Sequence, residues 1–395
     1  LKALFLSQRV PFPPDRGDKI TSWHMVERLS RSHEVTIIAF SHDQADEGGA
    51  EALRAKGFEV VTIDHDERAK KLAALPLLLG RKPLTLGVYG SKDLQAEVDR
   101  RVSETDFAVA FSSSMGAFLL PHPALPKLVF MGELDSDKWR QYSEVKSFPM
   151  SWVYKREART LFAFERELAA ASEETVLVTP LEKEIFEREI PGPANCVIRN
   201  GVDLEHFHPA PERAEPGHLI FTGVMDYFPN SEGCEWFVKE VMPLIHHRHP
   251  DAHISIVGAR PTPEVEALAA SPHVTVTGRV DSTAEWLQRA SVAVCPLRIA
   301  RGVQNKVLEA MACGIGVVAT TPASQGTEAT PGDHFLLADE ATTFATEVAN
   351  LLDSPERASQ LGRSARQLME ETRSWETNYD ELDRAIERIM RDNKR

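Results

Sequence analysis

Cysteine is scarce in this 395-residue sequence: Cys196, Cys234, Cys295 and Cys313 are the four, and no two form a C-x-x-C pair. Such spacing argues against a zinc knuckle or a disulfide framework and suits a reducing compartment. Long apolar runs are missing too. No stretch reaches the roughly 18 residues of a membrane-spanning helix. The apolar start of "LKALFLSQRVPFPPDRG" ends at Arg9 and the prolines, too short for the apolar region of a signal peptide. A cytoplasmic chain is expected. Positive charge is in deficit, with 45 Lys and Arg against 59 Asp and Glu and a net charge of −14. That excludes a general nucleic-acid binder, which would be basic. The histidines of "LIHHRHPDAH" fall at an expected helix end on the surface, so they are not expected to hold a metal. There is no short repeat and no low-complexity tract.

What the sequence does have is a series of short apolar runs separated by helical patterns. In the first half they are "KALFLS", "EVTIIAF", "FEVVTI", "FAVAFSS", "KLVFMG" and "TVLVTP". In the second half they are "HLIFTGV", "HISIVGA", "VTVTGRV", "VAVCPL" and "GVVATT". Near-continuous apolar strands suit a parallel sheet buried on both faces. Two such series in a chain of this length predict two doubly wound α/β domains. The turn Asn200-Gly201, followed by a stretch rich in Pro, His and charge, marks the seam. The expected division is a Rossmann-like domain over 1–205, a second over 206–370, and a final helical segment over 371–395. In that segment Trp375, Tyr379, Leu382, Ile386 and Ile389 fall at helical spacing, a packing stripe.

Ligands of such sheets bind outside the carboxyl ends of the strands, so the loops after strands are the places to search. After the first run, Gly17 precedes a helix expected over Asp18–Leu29, with Arg9, Arg16 and Lys19 beside it. An anion site and a tight turn with a solvated basic edge compete there. In "RGVQNKVLEAMACGIGVVAT" a helix is expected from Asn305, its N-cap, to a stop at Gly314. Lys306 and Glu309 share one face of it. Glu309 would suit a ribose diol and Lys306 a phosphate, while a surface ion pair is the plainer alternative. Gly223 and Asn230, around a helix start near Ser231, and the Gly278-Arg279-Val280 turn are further loop candidates. Glu133, Asp135 and Asp137 follow another strand and would serve as a base, hold sugar hydroxyls, or cap a helix through Asp135 or Ser136. Around Trp152 and Phe162, the charges of Lys155, Arg156 and Arg159 are mixed with acids, which favours a solvated face over an anionic membrane contact.

The order of these motifs resembles a known family. "GVQNKVLEAMACGIGVVAT" is similar to the signature of retaining glycosyltransferases of family 4, and "FTGVMDYFPNSEGCEWFVKEVMPLI" and "VIRNGVDLEHFHP" resemble motifs of the same family in the same order. "SQRVPFPPDRGDKITSWHMVERLS" and "DSDKWRQYS" resemble the sugar transferases associated with exopolysaccharide and PEP-CTERM/exosortase loci. The resemblance implies the GT-B fold, two doubly wound Rossmann-like domains facing across a cleft, with the final helix crossing back to the first. It implies a nucleoside diphosphate sugar as donor, with no separate cofactor and no metal, and a glycan or lipid-linked acceptor. Peripheral contact with the cytoplasmic face of the inner membrane is compatible with it. Donor-binding roles pass to Gly17, Arg16, Gly223, Asn230, Gly278, Arg279, Val280, Gln304, Asn305, Lys306 and Glu309.

Two departures from the family pattern bear on catalysis. Relatives often carry two glutamates eight apart, and here Arg301 stands in the first position with Glu309 in the second. The arginine and lysine that often grip the diphosphate are Val224 and Pro229 here. A desolvated diphosphate needs cations, so Arg301 and Lys306, with Arg298 in reserve, are the expected replacements. Glu133 and Asp135, with Ser113 and Ser114, are the polar groups available in the first domain; no histidine matches the family's. A front-face displacement, with the departing phosphate helping to deprotonate the acceptor, follows from the resemblance. A non-catalytic sugar-nucleotide scaffold and a nucleotide-sugar 2-epimerase are the alternatives.

Overall fold

The computed structural model describes residues 1–300 and 302–392. Each of the eleven apolar runs forms a strand. The first seven-stranded sheet holds β1 (Lys2–Ser7), β2 (Glu34–Ser41), β3 (Glu59–Asp64), β4 (Phe107–Phe111), β5 (Lys127–Gly132), β6 (Glu174–Leu177) and β7 (Asn195–Val197). The second holds β8 (His218–Thr222), β9 (His253–Val257), β10 (Val274–Gly278), β11 (Val292–Cys295), β12 (Gly316–Ala319) and β13 (Leu336–Leu337). Strands β7 and β13, of three and two residues, carry too little pattern to read in advance. The orders are β3-β2-β1-β4-β5-β6-β7 and β10-β9-β8-β11-β12-β13. All pairings are parallel. In each sheet the direction of strand addition reverses once, between β1 and β4 and between β8 and β11. Those switch points are where doubly wound sheets open a crevice for ligand.

The central strands are buried along their length, as in "FAVAF" of β4 and "GVVA" of β12, because helices cover both sheet faces. The chain divides into two compact units, one of Leu1–Arg199 with Tyr379–Arg395, the other of Asn200–Asn378. The division falls a few residues before the 205–206 boundary read from the sequence. Asn200 and its neighbours bond within the second unit: Asn200 Nδ2 lies 3.5 Å from Asn305 Oδ1, and the Val202 amide donates to the Arg373 carbonyl at 2.9 Å. Gly201 packs flat on the Trp375 ring, where a Cβ would clash. Trp375 begins the final helix, Trp375–Asp392. Further along, Tyr379, Leu382, Ile386 and Ile389 are buried in the first unit, and the Tyr379 hydroxyl donates to the Thr21 carbonyl at 2.9 Å.

All four cysteines are buried and unpaired. Burial pushes every one of their thiols up, those of Cys295 and Cys313 to about 12.

At the carboxyl edge of the second sheet, Gly223 and Gly258 follow β8 and β9 directly and Gly278 ends β10, all with positive φ. Their backbones lie side by side: the Gly223 amide donates to the Val257 carbonyl at 3.0 Å and the Gly258 amide to the Gly278 carbonyl at 3.1 Å. A Cβ at Gly258 would run into the Gly223 carbonyl. Gly258→Ala therefore combines a steric clash with an unfavourable φ of +148°. It is expected to lower unfolding stability in urea by about 2–3 kcal/mol.

Candidate functional site

In the second unit the switch point collects side chains from two helices. The first, Phe228–Trp236, begins three residues before the position expected, because Pro229 fits its first turn. That brings Asn230 inward. Its side chain is buried, and Nδ2 donates to the Val224 carbonyl at 2.8 Å, fixing the turn after β8. The second helix, Asn305–Ala312, starts at Asn305, so its N-cap is Gln304 and not Asn305, and no side chain caps it. Its inner face, Val307, Leu308 and Met311, packs into the core.

Lys306 is the second residue of that helix. A cation there sits at the positive end of the helix dipole, an unfavourable place unless an anion joins it. Its Nζ donates to Asn230 Oδ1 at 2.8 Å and stands 5.2 Å from the centre of the Phe221 ring. Burial lowers its pKa. Gly223 makes room for this: a Cβ there would lie 2.7 Å from Asn230 Nδ2 and 3.2 Å from Lys306 Cε. Glu309, one turn on, is pushed up to about 7 by burial, with the Lys306 charge pulling the other way. Lys306 is hydrogen-bonded to Asn230, and its charge and that of Glu309 also act on one another. The structure thus brings Gly223, Asn230, Lys306 and Glu309 together, with the uncapped amides of the helix start beside them.

Other predicted positions are more distant or differently engaged. Gly278, Arg279 and Val280 follow β10, two strands from β8, where Val280 leans on the core. Arg298, the reserve cation, is paired with Glu232 at 2.7 Å. Arg301 lies outside the described residues. Gly258 was not singled out from the sequence, although "IVGAR" repeats the strand-glycine pattern of "FTGVM" and "VTGRV".

In the first unit a cavity of about 280 Å³ lies at the carboxyl ends of β1, β4 and β5. Gln8, Arg9, Lys19, Ser112, Tyr89, Glu133, Asp135, Lys138 and Trp139 are among its walls. The cations expected to attract an anion here are matched by acids. Arg16 pairs with Asp18 at 2.6 Å and Lys19 with Asp46 at 2.6 Å. Arg9 stands 3.7–3.9 Å from Asp18, Asp46 and Glu67. Gly17 opens the helix Gly17–Ser30 behind them. The expected basic edge is thus a charge-balanced wall rather than a row of solvated cations. Glu133 and Asp135 flank Lys138, whose pKa is raised: burial acts to lower it, and the two carboxylates outweigh that. The helix Asp135–Val145 begins after Leu134 without a side-chain cap, so neither Asp135 nor Ser136 caps it. Ser136 instead donates its amide to the buried Glu165 at 3.2 Å, and its hydroxyl is bonded to the other Glu165 oxygen.

Ser112, just after β4, has a φ of +100°, a region non-glycine residues rarely adopt. Such strain clusters at functional sites. Around it, Gln8 Nε2 donates to Ser114 Oγ at 2.7 Å and Ser113 Oγ to Asp135 Oδ2 at 3.4 Å. In the sequence Ser112 is one of three serines, and nothing there marks it out.

Elsewhere in the second unit, the donor atoms of Glu215, His218 and His253 lie within 4.8 Å of one another. They have other duties: Glu215 pairs with Arg289 at 2.7 Å, and the two His218 nitrogens face the Arg289 carbonyl and the Ser255 hydroxyl.

Residues 216–354 match the family model described as Glycosyl transferases group 1. Along most of its length the chain is similar to the GDP-mannose-dependent alpha-(1-6)-phosphatidylinositol monomannoside mannosyltransferase of Mycolicibacterium smegmatis, 24% identical over 394 residues, with 93% of this chain and 94% of that protein covered. Among solved structures, sucrose-phosphate synthase from Thermosynechococcus elongatus superposes with a TM-score of 0.76 at 16% identity, covering 98% of this chain and 99% of the other. Anabaena HepE in complex with UDP does so with a TM-score of 0.72 at 14% identity, covering 98% and 100%. The fold is GT-B, and the matches together support a glycosyltransferase.

Two measurements follow from this geometry. Burial, with the Asp135 charge second, pushes the Glu165 carboxyl up to about 8. The folded chain then keeps a proton that the unfolded chain releases above its ordinary value of 4.5. Stability is therefore expected to fall as pH rises from about 4.5 to about 8, by a few kcal/mol at most. Glu165→Gln, which imitates the protonated acid, should flatten that slope in urea titrations at successive pH values. Ser112→Gly should relieve backbone strain and raise stability by about 1 kcal/mol in the same assay.

Proposed function

We propose that the protein is a cytoplasmic, retaining glycosyltransferase that moves a sugar from a nucleoside diphosphate donor to a glycan or lipid-linked acceptor in exopolysaccharide synthesis. The observation that carries the reading is Lys306: a half-buried ammonium at a helix start, bonded to one neutral amide, beside glycine backbone and uncapped amides. An anion is what that arrangement lacks. In this reading the donor diphosphate lies against the Gly223 turn and the start of the helix Asn305–Ala312. Lys306 and Arg301 neutralise the departing phosphate. Asn230 aims Lys306. Gln304 and Asn305 supply the helix entry, Glu309 accepts from the ribose diol, and the Gly278-Arg279-Val280 turn borders the base. Chain cations and amides carry the phosphate charge, with no separate cofactor or metal.

The first-unit cavity is the acceptor's place in this reading. Its walls present carboxylates, hydroxyls and a tryptophan, groups that accept from hydroxyls and cover a sugar face. Glu133 and Asp135 are the carboxylates within it that would take or relay the acceptor proton. Arg16 and Gly17 keep the β1 loop in shape through Asp18 and the helix start. Retention follows when the acceptor attacks from the face the phosphate leaves, with the phosphate oxygen receiving the proton.

Transfer from a panel of UDP-, GDP- and ADP-sugars tests the reading directly. Lys306→Ala should lower kcat/KM by about 10²–10³-fold, and Arg301→Ala should weaken donor binding and transfer as well. Wild-type values in both variants would remove the phosphate role. Donor binding without transfer or hydrolysis would favour a scaffold, and donor isomerisation without acceptor an epimerase. Because the ionised Glu309 is the form that accepts from a diol, donor affinity should rise as pH passes upward through about 7. Glu309→Gln should abolish that dependence in calorimetric titration.

A further inference from the structure

One wall of the first-unit cavity is a segment that no sequence motif marks out. Residues 84–90 bring Thr85 and Tyr89 into the lining. The helix Leu84–Val88 within it has five residues, too few to hold its place alone. Neighbouring elements pin it. The Glu157 carboxylate, in the helix Met150–Ala170, accepts from the amides of Leu84 and Thr85 at 2.7 and 2.8 Å and from the Thr85 hydroxyl at 2.8 Å. Beside it, the Arg156 guanidinium turns inward and donates to the carbonyls of Leu77, Leu78, Gly80 and Lys82, which fixes the chain leading into the segment. Gly87 presses on Leu77 and Ala74, where a Cβ would clash. At the far end, Lys70 donates to the Gly90 carbonyl at 3.2 Å.

Tyr89 lies flat on the ring of His65, with 5.4 Å between ring centres and 5° between planes. His65 follows β3, is 4% exposed, and also lies against Phe40 and His42, at 4.6 and 4.8 Å. Neither of its ring nitrogens has a hydrogen-bond partner among the described residues. A buried imidazole without a partner costs free energy that an apolar ring in the same place would not. What His65 supplies there is a flat face, and Tyr89 rests on it. Burial pushes the His65 pKa down to about 4, so the ring is neutral and the stack unaltered near neutral pH.

The charges of Arg9, Asp135 and Asp18, three walls of the cavity, act on the Tyr89 hydroxyl. Burial pushes that hydroxyl up to about 12, so it keeps its proton. Ionised carboxylates only accept hydrogen bonds and a guanidinium only donates them, whereas a phenol does both. A sugar hydroxyl also does both. The Thr85 hydroxyl, on the same segment, is already taken by Glu157.

Taking this cavity as the acceptor's place, we infer that Tyr89 is a substrate-contacting residue that bonds a hydroxyl of the acceptor sugar, and that His65 is the positioning residue that holds it in the wall. Neither residue bears on the donor phosphate. The assignment makes Tyr89 a determinant of acceptor affinity.

Saturation-transfer NMR titration of the full chain with the methyl α-glycosides of glucose, mannose and galactose tests the inference. Wild type is expected to bind at least one of them. Tyr89→Phe, which keeps the ring and removes the hydroxyl, should raise that dissociation constant about tenfold. His65→Ala should do the same, and His65→Phe, which puts back a flat ring, should return it to about the wild-type value. Circular dichroism and melting temperature of Tyr89→Phe and His65→Phe should match the wild type, and these two decide the matter if His65→Ala does not fold. Absence of binding by the wild type would overturn the inference, as would undiminished binding by Tyr89→Phe. Loss of binding in His65→Phe would overturn the part assigned to His65, since the imidazole and not a flat face would then be needed. Glycoside binding that depends on Tyr89 in a chain that transfers no sugar would uphold the inference and remove the transferase reading. Sugar transfer with an acceptor KM that Tyr89→Phe leaves unmoved would do the reverse.

Discussion

In the second unit the constraint is a lysine partly withdrawn from water at a helix start. Removing an ammonium from water costs several kcal/mol, and a hydrogen bond to a neutral amide offsets a fraction of that. Lys306 has such a bond, to Asn230, and its position at a helix start adds to the cost. The arrangement is possible because Gly223 has no side chain to stand between Lys306 and Asn230. Gly258 in turn lets β9 close against β8 at that level. Packing, helix polarity and strand-end geometry thus meet at Gly223, Asn230 and Lys306.

The two units share a strand order and differ in what they do with it. At the switch point of the first sheet, each cation named from the sequence is matched by a carboxylate, and acids hold the balance. At that of the second, Lys306 stands at a helix start bonded to Asn230, with Glu309 alongside, its carboxyl pushed up to about 7 by burial. In the proposed function the balanced wall would take a polyol and the lysine-bearing one a phosphate, because the loops, and not the sheets, carry the charge.

The fold was largely legible because buried parallel strands leave continuous apolar runs. β7 and β13 escaped because two or three residues make no pattern. The site was legible in part. Gly223, Asn230, Lys306 and Glu309 follow strands or open helices, and local spacing marks them. Pairing across the chain is what the spacing hides: that Asp46 would take Lys19, that Glu232 would take Arg298, or that Arg156 would turn inward to four carbonyls. Ser112 was invisible for a different reason, since its distinction is a backbone angle and not a residue type.

The buried thiols have a consequence for how the folded chain meets oxidants. A thiolate is the species that exchanges disulfides, binds soft metals and reacts with oxidants. In Cys295 and Cys313, held near 12, that species is all but absent at neutral pH, and Cys196 and Cys234 are pushed in the same direction. Burial of the few cysteines the chain has keeps their thiols protonated and out of disulfide exchange while it is folded.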